Sequence, residues 1–131
     1  MKQIIVEKEY SDELCEVSVD TEKMKLALLN IIVNAIEAME KNNGILQLKT
    51  QKQGNKCLIE IKDNGVGMDE DTLQKLFEPY FTAKPKGNGL GLTNTQNIIL
   101  NHGGNIKVYS KPEIGSAFII VLDLIDKQEK A

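Results

Sequence analysis

The chain has 131 residues, 41% hydrophobic and 27% charged, with 16 Lys and Arg against 19 Asp and Glu for a formal net charge of −3. This is enough for one hydrophobic core and too apolar for intrinsic disorder, while the acidic balance argues against a nucleic-acid binder with a broad basic face. No apolar run approaches the roughly 20 residues of a bilayer span, and Lys2, Glu7, Lys8 and Glu9 interrupt the apolar residues at the N-terminus, so no signal peptide is expected.

Gln3 to Tyr10 contains Ile4, Ile5 and Val6 and reads as a strand, and Leu14 to Val19 reads as a second. Asp20 and Thr21 supply N-cap chemistry for a helix over Glu22 to Lys41. That segment lacks Gly and Pro and sets Met24, Leu28, Ile31, Ile32, Ala35, Ile36 and Met39 at helical spacing. Asn42-Asn43-Gly44 ends it, with Gly44 suited to a left-handed C-cap. Ile45 to Lys52 and Cys57 to Lys62 are predicted strands around a Gln53-Gly54-Asn55 turn, the second ending at Asp63 with Cys57, Ile59 and Ile61 on one face. Asn64 to Asn88 reads as irregular, with a short helix around Asp71 to Phe77. A second long helix, Leu90 to Asn101, closes on His102-Gly103-Gly104. Asn105 to Ser110 and Ser116 to Leu124 form a final strand pair, and Phe118 to Leu122 is apolar on both faces, as befits a central strand. Asp126 to Ala131 is a charged tail.

Cys15 and Cys57 are far apart in sequence and lack metal-ligand spacing, so two free thiols in a reducing compartment are expected and a zinc site is not. The single histidine, His102, reads as a helix-terminal residue that suits the helix dipole rather than as a catalytic group.

Four segments can carry chemistry. Asn30 and Asn34 lie four apart on one helix face, in a stripe with Lys23, Ala27, Glu37 and Lys41. That stripe is either a solvated face or a carbonyl oxygen offered to a hard cation. Asp63-Asn64-Gly65-Val66-Gly67-Met68 is either a plain turn or a carboxylate that accepts from an amine on a flat ring. Gly87-Asn88-Gly89-Leu90-Gly91-Leu92 runs into a helix and can turn backbone N–H groups toward an anion, with Lys84 and Lys86 just before it; the alternative is a surface loop. Phe77-Glu78-Pro79-Tyr80-Phe81-Thr82 gathers three of the chain's six Phe and Tyr, as a movable packed segment or a small satellite core.

In this order, the segments resemble the ATP-binding catalytic domain of bacterial sensor histidine kinases, in the superfamily that also holds gyrase, the heat-shock chaperone and the mismatch-repair ATPases. Asn30 to Ala35 resembles the family's N box, Asp63 to Met68 its first glycine box, Phe77 to Lys84 its F box and Gly87 to Leu92 its second glycine box. Gly115-Ser116-Ala117-Phe118 resembles the late element near the adenine. The likeness runs from about Ile4 to Leu124 and is greatest to the nitrogen-regulation and sporulation kinases.

The resemblance implies the Bergerat fold, an α/β sandwich with a mixed β-sheet covered on one face by helices. It implies ATP and Mg²⁺ as cofactors, with Asn34 as the metal ligand and Asn30 where gyrase-type relatives carry a catalytic glutamate. Asp63 would accept from the adenine amine; guanine presents a carbonyl there, which selects ATP over GTP. Gly65 and Gly67 would give the ring room, with Met68, Phe81, Leu90, Leu92 and Ser116 around the nucleotide. Tyr80 to Asn88 would form a lid, Lys84 near the phosphates, with Gly87, Gly89 and Gly91 as hinges and N–H donors. Glu37 and Asn88 depart from residues frequent in other subgroups, which bears on the fine phosphate contacts.

The implied function is supply of the γ-phosphate to a histidine in a dimerisation domain, for onward transfer to a response-regulator aspartate. No phosphoacceptor helix occurs here, so residues 1–131 are expected to be a single domain of a longer cytoplasmic or membrane-anchored kinase, monomeric alone and homodimeric in the full protein. No nucleic acid is expected as a partner. A stand-alone serine kinase of the anti-sigma type is the alternative, and the complete F box favours the first reading. An ATPase is disfavoured because the Asn30 amide cannot take a proton from water.

Overall fold

The computed structural model describes residues 3–39, 43–78 and 91–125. Its elements in chain order are β1 (Ile4–Glu9), α1 (Thr21–Ala38), β2 (Gly44–Gln53), β3 (Lys56–Asp63), α2 (Glu70–Lys75), α3 (Gly91–Asn101), β4 (Asn105–Lys111) and β5 (Gly115–Asp123). The five strands form one sheet in the order β1-β2-β3-β5-β4. β1 pairs with β2 in parallel, and the other three pairings are antiparallel. The expected mixed sheet is therefore present, and β5 is an internal strand, as its two-sided apolar character requires.

Alternation along the strands separates two faces. In β3, Cys57, Ile61 and Asp63 are buried, while the alternate residues include exposed Lys62. Register places Ile61 beside Phe118 and Ile59 beside Ile120, and these meet Met24, Ala27, Ile31 and Ala35 of α1 and Ile99 of α3 in one core. The helices of that core thus lie against a single face of the sheet.

Three local expectations are revised. Leu14 to Val19 forms no strand but runs as an extended strap. Its backbone is engaged elsewhere: the Glu16 carbonyl accepts from Ile125 N–H at 2.8 Å, and just ahead of it Ser11 N–H donates to Thr50 Oγ1 at 2.8 Å. Helix α1 ends at Ala38, ahead of the expected Lys41. Gly44 opens β2 rather than capping α1, and the left-handed residue is Asn43, φ 74°. Gly44 is needed for a different reason: a Cβ there would sit 2.8 Å from Met39 Sδ.

Asp20 does cap α1, accepting from Lys23 N–H at 3.1 Å. His102 reinforces that end. Its Nδ1 lies 2.7 Å from the Ile98 carbonyl, and its Nε2 accepts from Asp20 N–H at 3.0 Å. A carbonyl partner requires a proton on Nδ1, so the ring is the neutral Nδ1–H tautomer, joining the C-terminus of α3 to the N-terminus of α1. Among the described residues, no helix is long and apolar enough to cross a membrane.

Candidate functional site

The site lies where β3 ends beside the C-terminal half of α1. Strand alternation turns Asp63 toward the helices, on the same face as Ile61, and leaves it 3% exposed. A carboxylate buried there needs hydrogen-bond partners. Its Oδ1 accepts from Gly65 N–H at 2.8 Å, which folds the following loop back over it. Ser116 stands opposite Asp63 across the β3–β5 ladder and opposite Ser110 across β4–β5. The two hydroxyls are 2.8 Å apart, and Ser110 Oγ also donates to the Gly115 carbonyl and accepts from Met68 N–H. Asp63, Ser116, Ser110 and Met68 are thereby gathered at one end of the sheet.

The loop between Asp63 and Asp69 is packed backbone to backbone. Val66 N–H donates to the Ala38 carbonyl at 3.0 Å, and the Val66 carbonyl accepts from Glu113 N–H. A Cβ on Gly65 would lie 2.5 Å from the Ala38 oxygen and 2.9 Å from Asp63 Oδ1. A Cβ on Gly67 would lie 1.9 Å from the Lys111 oxygen, and φ is +68°. A Cβ on Gly115, φ +140°, would lie 2.1 Å from the Asp63 oxygen. The glycines let the loop pass between α1 and the β4–β5 hairpin and hold it against the carboxylate. Asn64 anchors the base, its Oδ1 accepting from Ile45 N–H. Asp69 ends the loop as the N-cap of α2; hydrogen bonding from Thr72 N–H holds its carboxyl below the ordinary range.

The asparagine stripe on α1 is not a solvated face. Ala27 in the middle of it is 0% exposed, and Asn30 and Asn34 are half-buried. Among its described residues only those at the ends, Lys23 and Glu37, are exposed, and the outward face also carries Leu26, Leu29 and Val33, at 48%, 55% and 43% exposure. Asn30 Nδ2 donates to Thr95 Oγ1 of α3 at 3.3 Å. Asn34 lies one turn before Ala38, whose carbonyl carries the Asp63 loop, so helical spacing sets Asn34 on the side of α1 that faces the site. Thr93 Oγ1 donates to the Phe77 carbonyl and ties α3 to the end of the α2 segment.

The structure thus brings together Asp63, Gly65, Gly67, Met68 and Ser116, with the end of α1 that follows Asn34 packed on their loop, while Asn30 is bound to Thr95. Gly91 opens α3, and Leu92 packs on the core. Phe81, Lys84, Gly87, Gly89 and Leu90, and with them the expected lid, lie outside the described residues. Sequence reading passed over Ser110, Thr95 and the Ala38 carbonyl. Hairpin register around Lys111 to Gly115 could have paired Ser110 with Ser116; the Asn30–Thr95 bond spans 65 positions and leaves no local signal.

A mixed sheet with helices on one face, and a buried carboxylate under a glycine loop beside an asparagine-bearing helix, define the ATP-binding domain of the histidine-kinase class. The chain belongs to the family described as histidine kinase-, DNA gyrase B-, and HSP90-like ATPase, whose model matches residues 19–126. It is 39% identical over 116 residues to signal transduction histidine-protein kinase AtoS of Escherichia coli, covering 88% of this chain and 19% of that protein. It is also 39% identical over 121 residues to sporulation kinase B of Bacillus subtilis, covering 92% of this chain and 28% of that one. The chain therefore spans less than a third of the length of these curated relatives. Among solved structures, the catalytic domain of histidine kinase ThkA superposes with a TM-score of 0.82 at 31% identity, covering 92% of this chain and 79% of the other.

Proposed function

We propose that this domain binds Mg²⁺-ATP and presents its γ-phosphate to a histidine on a separate dimerisation domain of a two-component kinase, from which a response regulator takes it. The observation that carries the reading is the Asp63 carboxylate, buried at the strand end with Oδ1 held by Gly65 N–H. An acceptor fixed in this way suits an exocyclic amine and repels a carbonyl, which distinguishes adenine from guanine. With the Ser110 proton given to the Gly115 carbonyl and the Ser116 proton to Ser110, the Ser116 oxygen remains as a further acceptor beside it.

The donor set also fits the cofactor. The Asn34 side chain offers a neutral amide oxygen on the face turned toward the site, a suitable ligand for a hard cation bridging phosphates. In this reading Asn30, already holding Thr95, positions that face; Met68 and Leu92 line the nucleotide pocket; and Phe81, Lys84, Gly87, Gly89, Leu90 and Gly91 serve the lid and the phosphates. Bound ATP would supply the transferable phosphoryl group. The chain's own residues orient the nucleotide, since phosphoryl transfer is chiefly a matter of position and charge. The acceptor histidine, the regulator, homodimerisation and any membrane anchor belong to the full protein.

Asp63→Asn tests the assignment. Titration calorimetry with ADP should show a loss of about 30-fold or more in affinity, about 2 kcal/mol, as expected when a charged acceptor is removed. GTP should give no heat with either protein. Unchanged ADP affinity in the variant would remove Asp63 from the adenine site.

A further inference from the structure

We propose that Cys15 and Cys57 are a dithiol pair that closes to a disulfide on oxidation, fastening the strap over residues 11–19 to the start of β3. Although 42 positions apart in sequence, the two residues line the same cavity of about 440 Å³, together with Leu14, Val17, Thr50 and Ile59. Both cysteines are free thiols, Cys57 buried and Cys15 half-buried.

The strap is held on both sides of Cys15. Ser11 N–H reaches Thr50 Oγ1 on β2, and the Glu16 carbonyl accepts from Ile125 N–H beyond β5. Glu13 also pairs with Lys52 at 3.3 Å, and Lys52 is the register partner of Cys57. These anchors hold Cys15 over the strand end that carries Cys57. The thiols are close enough that Cys15 raises the Cys57 pKa through a side-chain hydrogen bond and through charge, on top of the larger effect of burial.

The chemistry divides between the two residues. Cys57 stays protonated near neutral pH, so the more exposed Cys15 is the one a peroxide reaches. The Cys15 thiolate attacks a peroxide oxygen, breaking the O–O bond to give a sulfenic acid and hydroxide. The Cys57 sulfur then displaces the sulfenic oxygen as water, with the Cys57 thiol proton and the proton already on that oxygen. Overall, two thiols lose two electrons and two protons to one peroxide, and an S–S bond forms. Cys57 and Asp63 are six positions apart along β3, roughly 20 Å at strand rise, so this chemistry is remote from the proposed nucleotide site.

The test uses the full chain treated with hydrogen peroxide at neutral pH, with Cys15→Ser and Cys57→Ala as controls. Thiol titration should fall from two groups to none, and peptide mapping should recover a Cys15–Cys57 crosslink within a monomer. The melting temperature should rise by about 5 °C or more and return on reduction, since the bridge closes a long loop in the unfolded chain. Cys15→Ser, at the more exposed position, should lose the crosslink and the shift while its reduced-state melting temperature stays close to that of the parent. Cys15 oxidised to sulfinic acid with Cys57 still free, or crosslinks only between chains, would overturn the proposal.

Discussion

Asn30 donates to the Thr95 hydroxyl across the packed interface of α1 and α3, at 3.3 Å. The Asn30 side chain therefore ties α1 to the neighbouring long helix and has a structural task whatever else it does. Thr95 is 0% exposed. Thr95→Val keeps the shape and removes the acceptor, leaving a half-buried amide donor short of a partner. We expect a loss of about 1–2 kcal/mol in urea unfolding. A variant as stable as the parent would show that the bond is dispensable.

Gly67 is confined by the Lys111 oxygen at 1.9 Å from a built Cβ and by a φ of +68°. Gly67→Ala should cost at least about 2 kcal/mol, from the left-handed backbone and from the displacement of the β4–β5 turn. Because that turn also holds Gly115 and Ser116, ADP affinity should fall with stability. Circular dichroism melts and calorimetry on the same sample check both, and Gly54→Ala, where nothing crowds the Cβ although φ is +60°, is the comparison for backbone conformation alone.

If the proposed nucleotide site is right, Asn34→Ala should leave ADP binding in the presence of a chelator within about threefold of the parent, because that reading assigns the adenine to the Asp63 end of the site. The strengthening of ADP binding that Mg²⁺ gives should be lost, as an oxygen ligand has been removed. Calorimetry with and without Mg²⁺ separates the two. An undiminished metal effect would take Asn34 out of the coordination shell.

Burial, followed by the Cys15 contact, pushes the Cys57 thiol up to about 12 from an ordinary 9.0. The folded protein therefore keeps a proton that the unfolded chain loses. The resulting stability is complete below about pH 9 and disappears as pH climbs toward 12. Parent protein should lose stability with rising pH more steeply than Cys57→Ala, so the gap between them narrows from pH 8 to pH 11. A gap independent of pH in reduced samples would contradict the burial of that thiol.

Both ring nitrogens of His102 are engaged, and the residue follows the C-terminus of α3, about 16 Å of helix from Gly91 at roughly 1.5 Å per residue. The chain incubated alone with γ-labelled ATP and Mg²⁺ should acquire no acid-labile label, while a dimerisation domain bearing its own histidine, added in trans, should become labelled. Label on the isolated chain that disappears in His102→Ala would refute this.

The sequence by itself determined most of the elements, because hydrophobic period, caps and turn residues are local: Asp20 capping α1, alternation through Cys57, Ile59 and Ile61, and the two-sided apolar run of β5 all reappear in the fold. It also singled out Asn30, Asn34, Asp63 and the glycines as candidate site residues, since these stand at characteristic separations. The tertiary structure decided what those residues touch. Leu14 to Val19 has strand-like composition, yet the Glu16 carbonyl finds its partner at Ile125 beyond β5, so it became a strap. Gly65 and Gly67 looked like room for a ring, and packing fills the positions of their missing side chains with the Ala38 and Lys111 carbonyls. Asn30 meeting Thr95, Ser110 meeting Ser116 beside Asp63, and Cys15 meeting Cys57 are all set by sheet register and helix packing. Such contacts arise only when distant segments bury a common surface, and no pattern along the chain encodes them residue by residue.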